Sequence, residues 1–262
     1  MMPINSIDIN CDLGESFGAY SLGPDSEVMK YISSANIACG WHAGDSVVMG
    51  NTVELAAVYG VSIGAHPGYP DLVGFGRRHM ECSPSEIKSY VTYQIGALNA
   101  FCVSHSVELR HVKPHGALYS KAMIDEKVAH SICEALANLN NKLSLFALAG
   151  QKGDQLEKIA SGYGLRVFRE AFPDRQYLPD GALVPRSHPE ATLTDPQEVM
   201  DRALAMVIDS KVHTINGSAV EIEVHTLCVH GDNQSALSIV KLLRNGLEKE
   251  GLRIQAPHLS IN

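Results

Sequence analysis

The amino-acid sequence predicts an α/β fold in which parallel strands and helices alternate to form a barrel. Short apolar segments recur along the chain between helical patterns, which is typical of parallel βαβ units. Ionisable residues follow the C-terminal ends of these segments, as at the rim where (β/α) barrels place their binding sites. The apolar segments span residues 7–12, 34–39, 61–65, 108–113, 143–149, 166–171 and 226–230. Seven such strands, where eight are usual, indicate a distorted, TIM-barrel-like (β/α) barrel.

The length and composition are those of one globular α/β domain. The 262 residues exceed the usual domain size of roughly 100–200 residues, but α/β barrels commonly do so. Hydrophobic residues make up 45% of the chain and charged residues 19%, which argues against disorder. We therefore expect a single barrel domain over residues 1–262, with an excursion at about residues 179–218.

Proline residues mark this excursion, because they interrupt the alternation of strands and helices. They stand at Pro179, Pro185, Pro189 and Pro196. Asp195 and Pro196 predict the start of one helix, with an Asp N-cap and a Pro in the first turn. Asn216-Gly217 lies between the apolar segments 212–215 and 219–224, which predicts a hairpin with a type I′ turn.

A longer helix is predicted to begin at Ser83. Ser83, Pro84 and Glu86 form the pattern of a capping box with Pro in the first turn. Apolar residues then recur every three or four positions, so one face is expected to pack on the sheet. These residues are Ile87, Tyr90, Val91, Ile95, Leu98 and Cys102.

The charge balance and hydropathy exclude two classes of partner. The formal net charge is −8, from 29 acidic and 21 basic residues, so a nucleic acid is not an expected partner. No apolar run approaches the roughly 18 residues needed to span a bilayer, and the first residues lack the basic and apolar regions of a signal peptide. We therefore expect no membrane association and a cytoplasmic location.

Side-chain alternation predicts which residues face the barrel axis. In the first strand Asp8, Asn10 and Asp12 share one face, while the intervening residues are apolar. The apolar face must pack on the helices, so the polar face points inward. The same alternation places His42 on the axis side of the second strand.

Most of the predicted strands thus end in an inward-facing ionisable residue. A single His at a strand end is more often structural than catalytic, but several converging on one rim favour a functional site, because unpaired buried polar groups are destabilising. The remaining histidines, His79 among them, have no assigned role. The candidates for one cavity at the C-terminal rim are Asp12, His42, His66, Lys113, His115, Glu170 and His230.

Six blocks of the sequence are distinctive: DINCDLGE at 8–15, NIACGWHAGD at 36–45, GAHPGYPD at 64–71, KPHGALY at 113–119, EAFPDR at 170–175 and CVHGD at 228–232. These blocks resemble those of the LamB/YcsF family, whose members are also known as the A-type subunits of 5-oxoprolinase. They occur in family order and span almost the whole chain. The resemblance implies a seven-stranded barrel related to glycoside hydrolase and deacetylase barrels. It also implies ATP-dependent cleavage of 5-oxoproline to L-glutamate, together with two partner subunits of the B and C types.

The candidate residues suit that reaction. An unstrained lactam needs activation, for example by phosphorylation from ATP, then a base for water and groups that stabilise developing charge. Asp12 or Glu170 is the candidate base, and Lys113 or Arg175 the candidate cation. The four rim histidines are candidate donors or proton carriers. The expected substrate contacts are Asn10, Asp174, Arg175 and Asp232.

ATP is the expected co-substrate, but the sequence has no phosphate loop of the G-x-x-x-x-G-K-[ST] type. We therefore expect ATP to act on the partner subunits and the excursion to contact them. Two other functions remain open. One is a metal-dependent hydrolase or deacetylase with a divalent ion held by Asp12, His42 and His66. The other is a non-catalytic protein that binds a small molecule.

Overall fold

The fold is described from a computed structural model, over residues 5–139, 142–230 and 235–257. These residues contain ten strands, numbered in chain order. They are β1 (Ser6–Leu13), β2 (Ser34–Ala38), β3 (Ser62–His66), β4 (Leu109–Val112), β5 (Ser144–Leu148), β6 (Val167–Ala171), β7 (Lys211–His213), β8 (Ala219–Glu221), β9 (Thr226–His230) and β10 (Arg253–Ile254).

Seven of these strands close into a parallel barrel in the order β1, β2, β3, β4, β5, β6 and β9. Pairing of β9 with β1, from Asp8 opposite Thr226 to Asp12 opposite His230, completes the circle. The short strand β10 pairs in parallel with Ser6 and Ile7, at the N-terminal end of β1. The predicted seven-stranded (β/α) barrel is therefore confirmed, and it is closed.

Helices cover the outside of the barrel. The helices within the described ranges are α1 (Asp25–Val28), α2 (Ser46–Tyr59), α3 (Pro84–Ser104), α4 (Gly116–Ala122), α5 (Glu126–Leu139), α6 (Gln151–Gly162), α7 (Pro196–Val207) and α8 (Ala236–Lys249). Helix α3 begins with the predicted capping box of Ser83 and Glu86. No helix in these ranges is both long enough and apolar enough to cross a bilayer.

The interior of the barrel is polar. Asp8, Asn10 and Asp12 point inward, whereas Ile7, Ile9, Cys11 and Leu13 are buried in the hydrophobic core. Ser33, Ser34 and Thr226 donate hydroxyl hydrogen bonds to Asp8 near the N-terminal end of the barrel. Burial raises the pKa of Asp8 to about 6, against the lowering effect of these hydrogen bonds. The inward-facing residues therefore form a hydrogen-bonded layer beneath the rim.

The segment between β6 and β9 contains helix α7 and the hairpin of β7 and β8. Asp195 caps α7 by accepting hydrogen bonds from the backbone N–H groups of Gln197 and Glu198. The predicted type I′ turn is wrong. Such a turn needs a positive φ at both central residues, and Gly217 has one whereas Asn216 does not. Thr214 accepts a backbone hydrogen bond from Gly217 and donates one to Ser218, which makes a longer loop.

Candidate active site

A cavity of about 220 Å³ opens at the C-terminal ends of the barrel strands. Five of the seven candidate residues line it: Asp12, His66, Lys113, His115 and His230. Leu183, Val184, Pro185 and Arg186, from the segment between β6 and β9, also form part of the cavity wall. The cavity is therefore built from strand ends, from the segments that follow them and from the excursion.

A buried cluster of opposite charges forms the floor of this cavity. Lys113 Nζ lies 3.0 Å from Asp12 Oδ1 and 2.8 Å from Glu170 Oε1. The contact with Glu170 Oε1 is an ion pair and not a directed hydrogen bond. Tyr119 donates its hydroxyl hydrogen bond to the other Glu170 oxygen at 3.1 Å. One ammonium thus stands between two buried carboxyl groups.

The charges in this cluster stabilise one another. Burial by itself would raise the pKa of Asp12, but the neighbouring His66 and Lys113 hold it well below its usual range. Burial likewise opposes the charge on Lys113, yet Asp12, Cys228 and Glu170 together keep the pKa of its ammonium well above the ordinary value. Asp12 is therefore a carboxylate and Lys113 an ammonium at neutral pH.

Neutral groups complete the surroundings of Lys113. Its ammonium donates to Cys228 Sγ at 2.8 Å and to Asn10 Oδ1 at 3.4 Å. It also lies 5.0 Å from the centre of the Phe172 ring, within the range of a cation–π contact. Asn10 is itself held by Asn36 and Thr226. These contacts fix the ammonium below the cavity.

Three histidines and Glu15 form a second cluster beside Asp12. His66 Nε2 lies 3.4 Å from Asp12 Oδ2 and 2.9 Å from His115 Nδ1. The rings of His42 and His115 are stacked, with their centres 3.7 Å apart and their planes at 4°. Glu15 Oε1 lies 3.3 Å from His42 Nε2 and 3.8 Å from His115 Nδ1.

Burial keeps two of these histidines neutral. Desolvation, followed by the proximity of His66, lowers the pKa of His42 well below its usual value. Desolvation also lowers the pKa of His115, and the adjacent His42 and His66 add to the effect. Lower in the barrel, burial reduces the pKa of His111 to about 3, with Lys113 as the next cause. The Nε2–H group of His111 donates a hydrogen bond to Asn36 Oδ1 at 2.8 Å.

His230 and Asp174 form a pair on the far side of the cavity. His230 Nδ1 lies 3.1 Å from Asp174 Oδ2, and the His230 ring stacks on Phe172. Burial would raise the pKa of Asp174, but His230 lowers it below the usual value. Arg175 lines the cavity, while its guanidinium also donates to the backbone carbonyls of Val184 and Ala191. Arg175 therefore connects the excursion to the rim through these hydrogen bonds.

The remaining candidates lie outside the cavity wall. Glu170 and Asn10 are fully buried below it, and Asp174 is buried behind His230. His42 lies behind His115, in the loop after β2. Strand alternation does not place His42, because β2 ends at Ala38 and Gly40 adopts a positive φ of 88°. Asp232 lies outside the described residues.

The predicted ligand set of Asp12, His42 and His66 is not a compact group in this fold. Among the described residues, the groups whose potential ligand atoms all lie within 4.8 Å of one another are Glu15, His42, His66 and His115, and Asp12, Cys228 and His230. Asp12 thus faces Lys113 and His66, and does not share a ligand sphere with His42. That particular set is not one of these groups, and a divalent ion held by it stays a prediction.

Several cavity residues were not predicted from the sequence. Glu15 ends the first family block, after β1 has ended at Leu13, and its position next to Gly14 was the available signal. Arg77, His79, Tyr119 and Arg186 also line the cavity. They lie in loops and in helix α4, where strand alternation gives no information about direction.

These features define a class of protein, a closed seven-stranded (β/α) barrel with a small, highly charged cavity at its C-terminal rim. The chain belongs to the LamB/YcsF family, whose model matches residues 7–261. The resemblance seen in the six sequence blocks is confirmed.

Known proteins support this assignment at the level of sequence and fold. The chain is 51% identical over 248 residues to the A-type subunit of 5-oxoprolinase from Pyrococcus furiosus, covering 95% of this chain and 96% of that protein. It is 45% identical to the lactam utilization protein from Thermus thermophilus, with a TM-score of 0.89 over 96% of this chain and 100% of that one. A T48 deacetylase shares the fold alone, at 13% identity and a TM-score of 0.50, over 96% of this chain and 87% of that one.

Proposed function

We propose that this chain is a subunit of an ATP-dependent 5-oxoprolinase, which cleaves 5-oxo-L-proline to L-glutamate with hydrolysis of ATP to ADP and phosphate. The observation that carries the proposal is the ionised Asp12, which lines the cavity and is paired with the buried ammonium of Lys113. The names of the relatives from Pyrococcus furiosus and Thermus thermophilus support the same substrate class.

The size of the cavity fits a small cyclic amide. Its volume of about 220 Å³ corresponds to roughly seven water molecules at about 30 Å³ each. That space suits a five-membered lactam with one carboxylate better than a whole nucleotide. The cationic side chains of Lys113, Arg77, Arg175 and Arg186 face or adjoin it, and they suit an anionic substrate.

The chemistry requires activation of the lactam. Transfer of the ATP γ-phosphoryl group to the lactam oxygen makes the ring carbon a better electrophile. Water then adds, the ring C–N bond opens, and hydrolysis of the resulting acyl phosphate releases L-glutamate and phosphate. In this scheme Asp12 accepts the proton of the attacking water, while Lys113 and His230 stabilise the negative charge that develops.

The phosphorylation step is assigned to partner subunits. The sequence lacks a recognisable phosphate loop, and the naming of the Pyrococcus furiosus relative as one lettered subunit supports an assembly with further chains. We propose two partners, of the B and C types, that dock over the rim. The segment Leu183–Arg186 is the candidate contact, because it forms a wall of the cavity. An activated lactam would then pass into the barrel without exposure to bulk water.

Turnover of 5-oxoproline tests this proposal. The purified chain is assayed for glutamate and ADP release with ATP, first alone and then with co-expressed candidate partner subunits. We expect glutamate formation only from the complete complex. Equal release of glutamate and ADP by the single chain would overturn the division of labour, and failure of every combination to consume 5-oxoproline would overturn the proposed reaction.

A further inference from the structure

The rings of His66 and His115 lie close together, and one nitrogen of each ring donates a hydrogen bond to a backbone carbonyl oxygen. His66 Nδ1 lies 2.6 Å from the carbonyl oxygen of Lys113, and His115 Nε2 lies 2.8 Å from that of Phe75. A carbonyl oxygen only accepts, so both of these ring nitrogens carry the proton. A neutral imidazole has one N–H group. Burial keeps His115 neutral, so its Nδ1 presents a lone pair toward His66 Nε2 at 2.9 Å.

A proton on His66 Nε2 or a metal ion between the two nitrogens would satisfy this lone pair. Glu15 Oε1 approaches the same point, at 3.8 Å from His115 Nδ1, and the potential ligand atoms of Glu15, His66 and His115 all lie within 4.8 Å of one another. Ligand atoms in a tetrahedral site with bonds of about 2.0–2.1 Å lie roughly 3.3 Å apart. The distances of 2.9 Å and 3.8 Å from His115 Nδ1 to His66 Nε2 and Glu15 Oε1 lie on either side of that value.

We propose that Glu15, His66 and His115 bind one divalent transition-metal ion, with an open coordination position toward the cavity. All three residues line the cavity, so the ion would be accessible to a small molecule there. Two imidazole nitrogens and one carboxylate oxygen form a donor set used by zinc and by non-haem iron.

The hydrogen bonds on the far side of each ring support a metal site. Metal-binding histidines almost always donate their other ring N–H group to a carbonyl or carboxylate, which fixes the ring. Lys113 and Phe75 supply such carbonyls for His66 and His115. Phe75 has a positive φ of 53°, a conformation that is strained for a bulky residue, and its carbonyl holds His115.

His42 is excluded from the ligand set by its geometry, although it lies close. A metal ion lies in the plane of each imidazole that binds it, and the planes of His42 and His115 are parallel with ring centres 3.7 Å apart. One ion cannot lie in both planes. His42 also does not line the cavity, and its Nδ1 has no hydrogen-bond partner among the described residues. We infer that His42 supports the ring of His115 by stacking.

A metal ion at this point would complement Asp12. Zinc lowers the pKa of a bound water to about 7, so a water on the proposed ion would give up its proton to a nearby carboxylate more readily than free water does. Asp12 Oδ2 lies 3.4 Å from His66 Nε2, so it is close to the proposed ion. The inference rests on the geometry of the cluster and does not depend on 5-oxoproline being the substrate.

Metal binding by the purified chain tests this inference. The protein is stripped with a chelator and dialysed against Zn²⁺ or Co²⁺, and bound metal is measured by mass spectrometry and by the visible spectrum of Co²⁺. We expect one ion per chain. His66→Ala, His115→Ala and Glu15→Gln should each weaken binding by about 100-fold or more, since loss of a group that only orients a ligand already costs about 10–100-fold. His42→Ala should change the affinity by less than about tenfold.

His130→Ala is the matched control, because His130 is exposed on α5 and its ring contacts Tyr163, away from the cavity. It should bind metal like the unmodified chain. Circular dichroism checks folding, and the near-isosteric Glu15→Gln decides the question if a histidine variant unfolds. Absence of stoichiometric metal, or an affinity of Glu15→Gln and His66→Ala equal to that of the control, would overturn the inference. So would nitrogen NMR that finds a proton shared between His66 and His115 and not displaced by Zn²⁺.

Discussion

The carboxylate of Asp12 and the ammonium of Lys113 form a buried ion pair at the floor of the cavity, with Oδ1 3.0 Å from Nζ. The same ammonium lies 2.8 Å from Glu170, so one cation balances two carboxyl groups. All three side chains are almost completely removed from solvent. The cluster is therefore a structural element as well as a candidate catalytic one.

Lys113→Met is expected to destabilise the fold strongly. Removal of the ammonium leaves Asp12 and Glu170 as buried carboxyl groups without a counter-ion, and breaking a buried pair in this way typically costs about 3–5 kcal/mol. Urea unfolding at neutral pH measures the change in the free energy of unfolding. The exposed Lys30, which pairs with Glu27, provides the control, and Lys30→Met should cost less than about 1 kcal/mol. Similar values for the two variants would contradict this description of the cluster.

Asp8 predicts a specific pH dependence of stability. Its pKa is raised to about 6 in the fold, above the ordinary value of 3.8, so the folded state binds more protons than the unfolded state between these values. Its contribution to stability is therefore fully present below about pH 4 and is lost as the pH rises through 6. The full effect is about 3 kcal/mol, at about 1.4 kcal/mol per pKa unit.

Asp8→Asn removes that titration while keeping the shape of the side chain. Relative to the unmodified chain, the variant should gain about 3 kcal/mol of stability between pH 4 and pH 8. Denaturant unfolding at a series of pH values gives the difference. A constant difference across this range would mean that Asp8 does not have a raised pKa.

A comparison of alanine substitutions at Gly44 and Gly60 separates the energetic cost of backbone strain from that of steric contact. Both have positive φ, of 77° and 66°. An added Cβ at Gly44 would lie 2.7 Å from the carbonyl oxygen of Gly14, whereas at Gly60 nothing lies within 4 Å. Gly60→Ala should therefore cost only the left-handed strain of about 1–2 kcal/mol. Gly44→Ala should cost distinctly more, because the β1 and β2 rim loops must also move apart.

Thermal unfolding of the two glycine variants gives the comparison. Each kcal/mol corresponds to a shift in Tm of about 2–4 °C for a chain of this size. Equal shifts in Tm would show that the two rim loops do not pack closely.

Strand alternation predicted the inward face of β1 because its side chains point to opposite sides with a period of two. It therefore placed Asp12 at the cavity from local sequence alone. His42 could not be placed in the same way, because its loop contains Gly40 and Gly44 with positive φ and no longer follows strand geometry. Its position depends on stacking with His115, which is distant in the sequence.

The wall formed by Leu183–Arg186 was also beyond the reach of sequence patterns. The prolines predicted an interruption of the barrel, but the direction of this segment depends on hydrogen bonds from Arg175 to Val184 and Ala191. Glu15 illustrates the same limit, since it follows the strand at the Gly14 turn and its role depends on where His42 and His115 lie. Contacts between distant loops therefore account for most of what the sequence did not predict.

Asp12 is proposed to accept the proton of the attacking water in the cavity, and the rate of glutamate release tests this role most directly. The assay uses the complete complex with 5-oxoproline and ATP, and compares the unmodified chain with Asp12→Asn after assembly is checked by size-exclusion chromatography. Asp209→Asn, at an exposed position outside the cavity, serves as the control. We predict a loss of about 10²–10⁴-fold for Asp12→Asn, the usual effect of removing a general base. A rate close to that of the unmodified chain would contradict the claim.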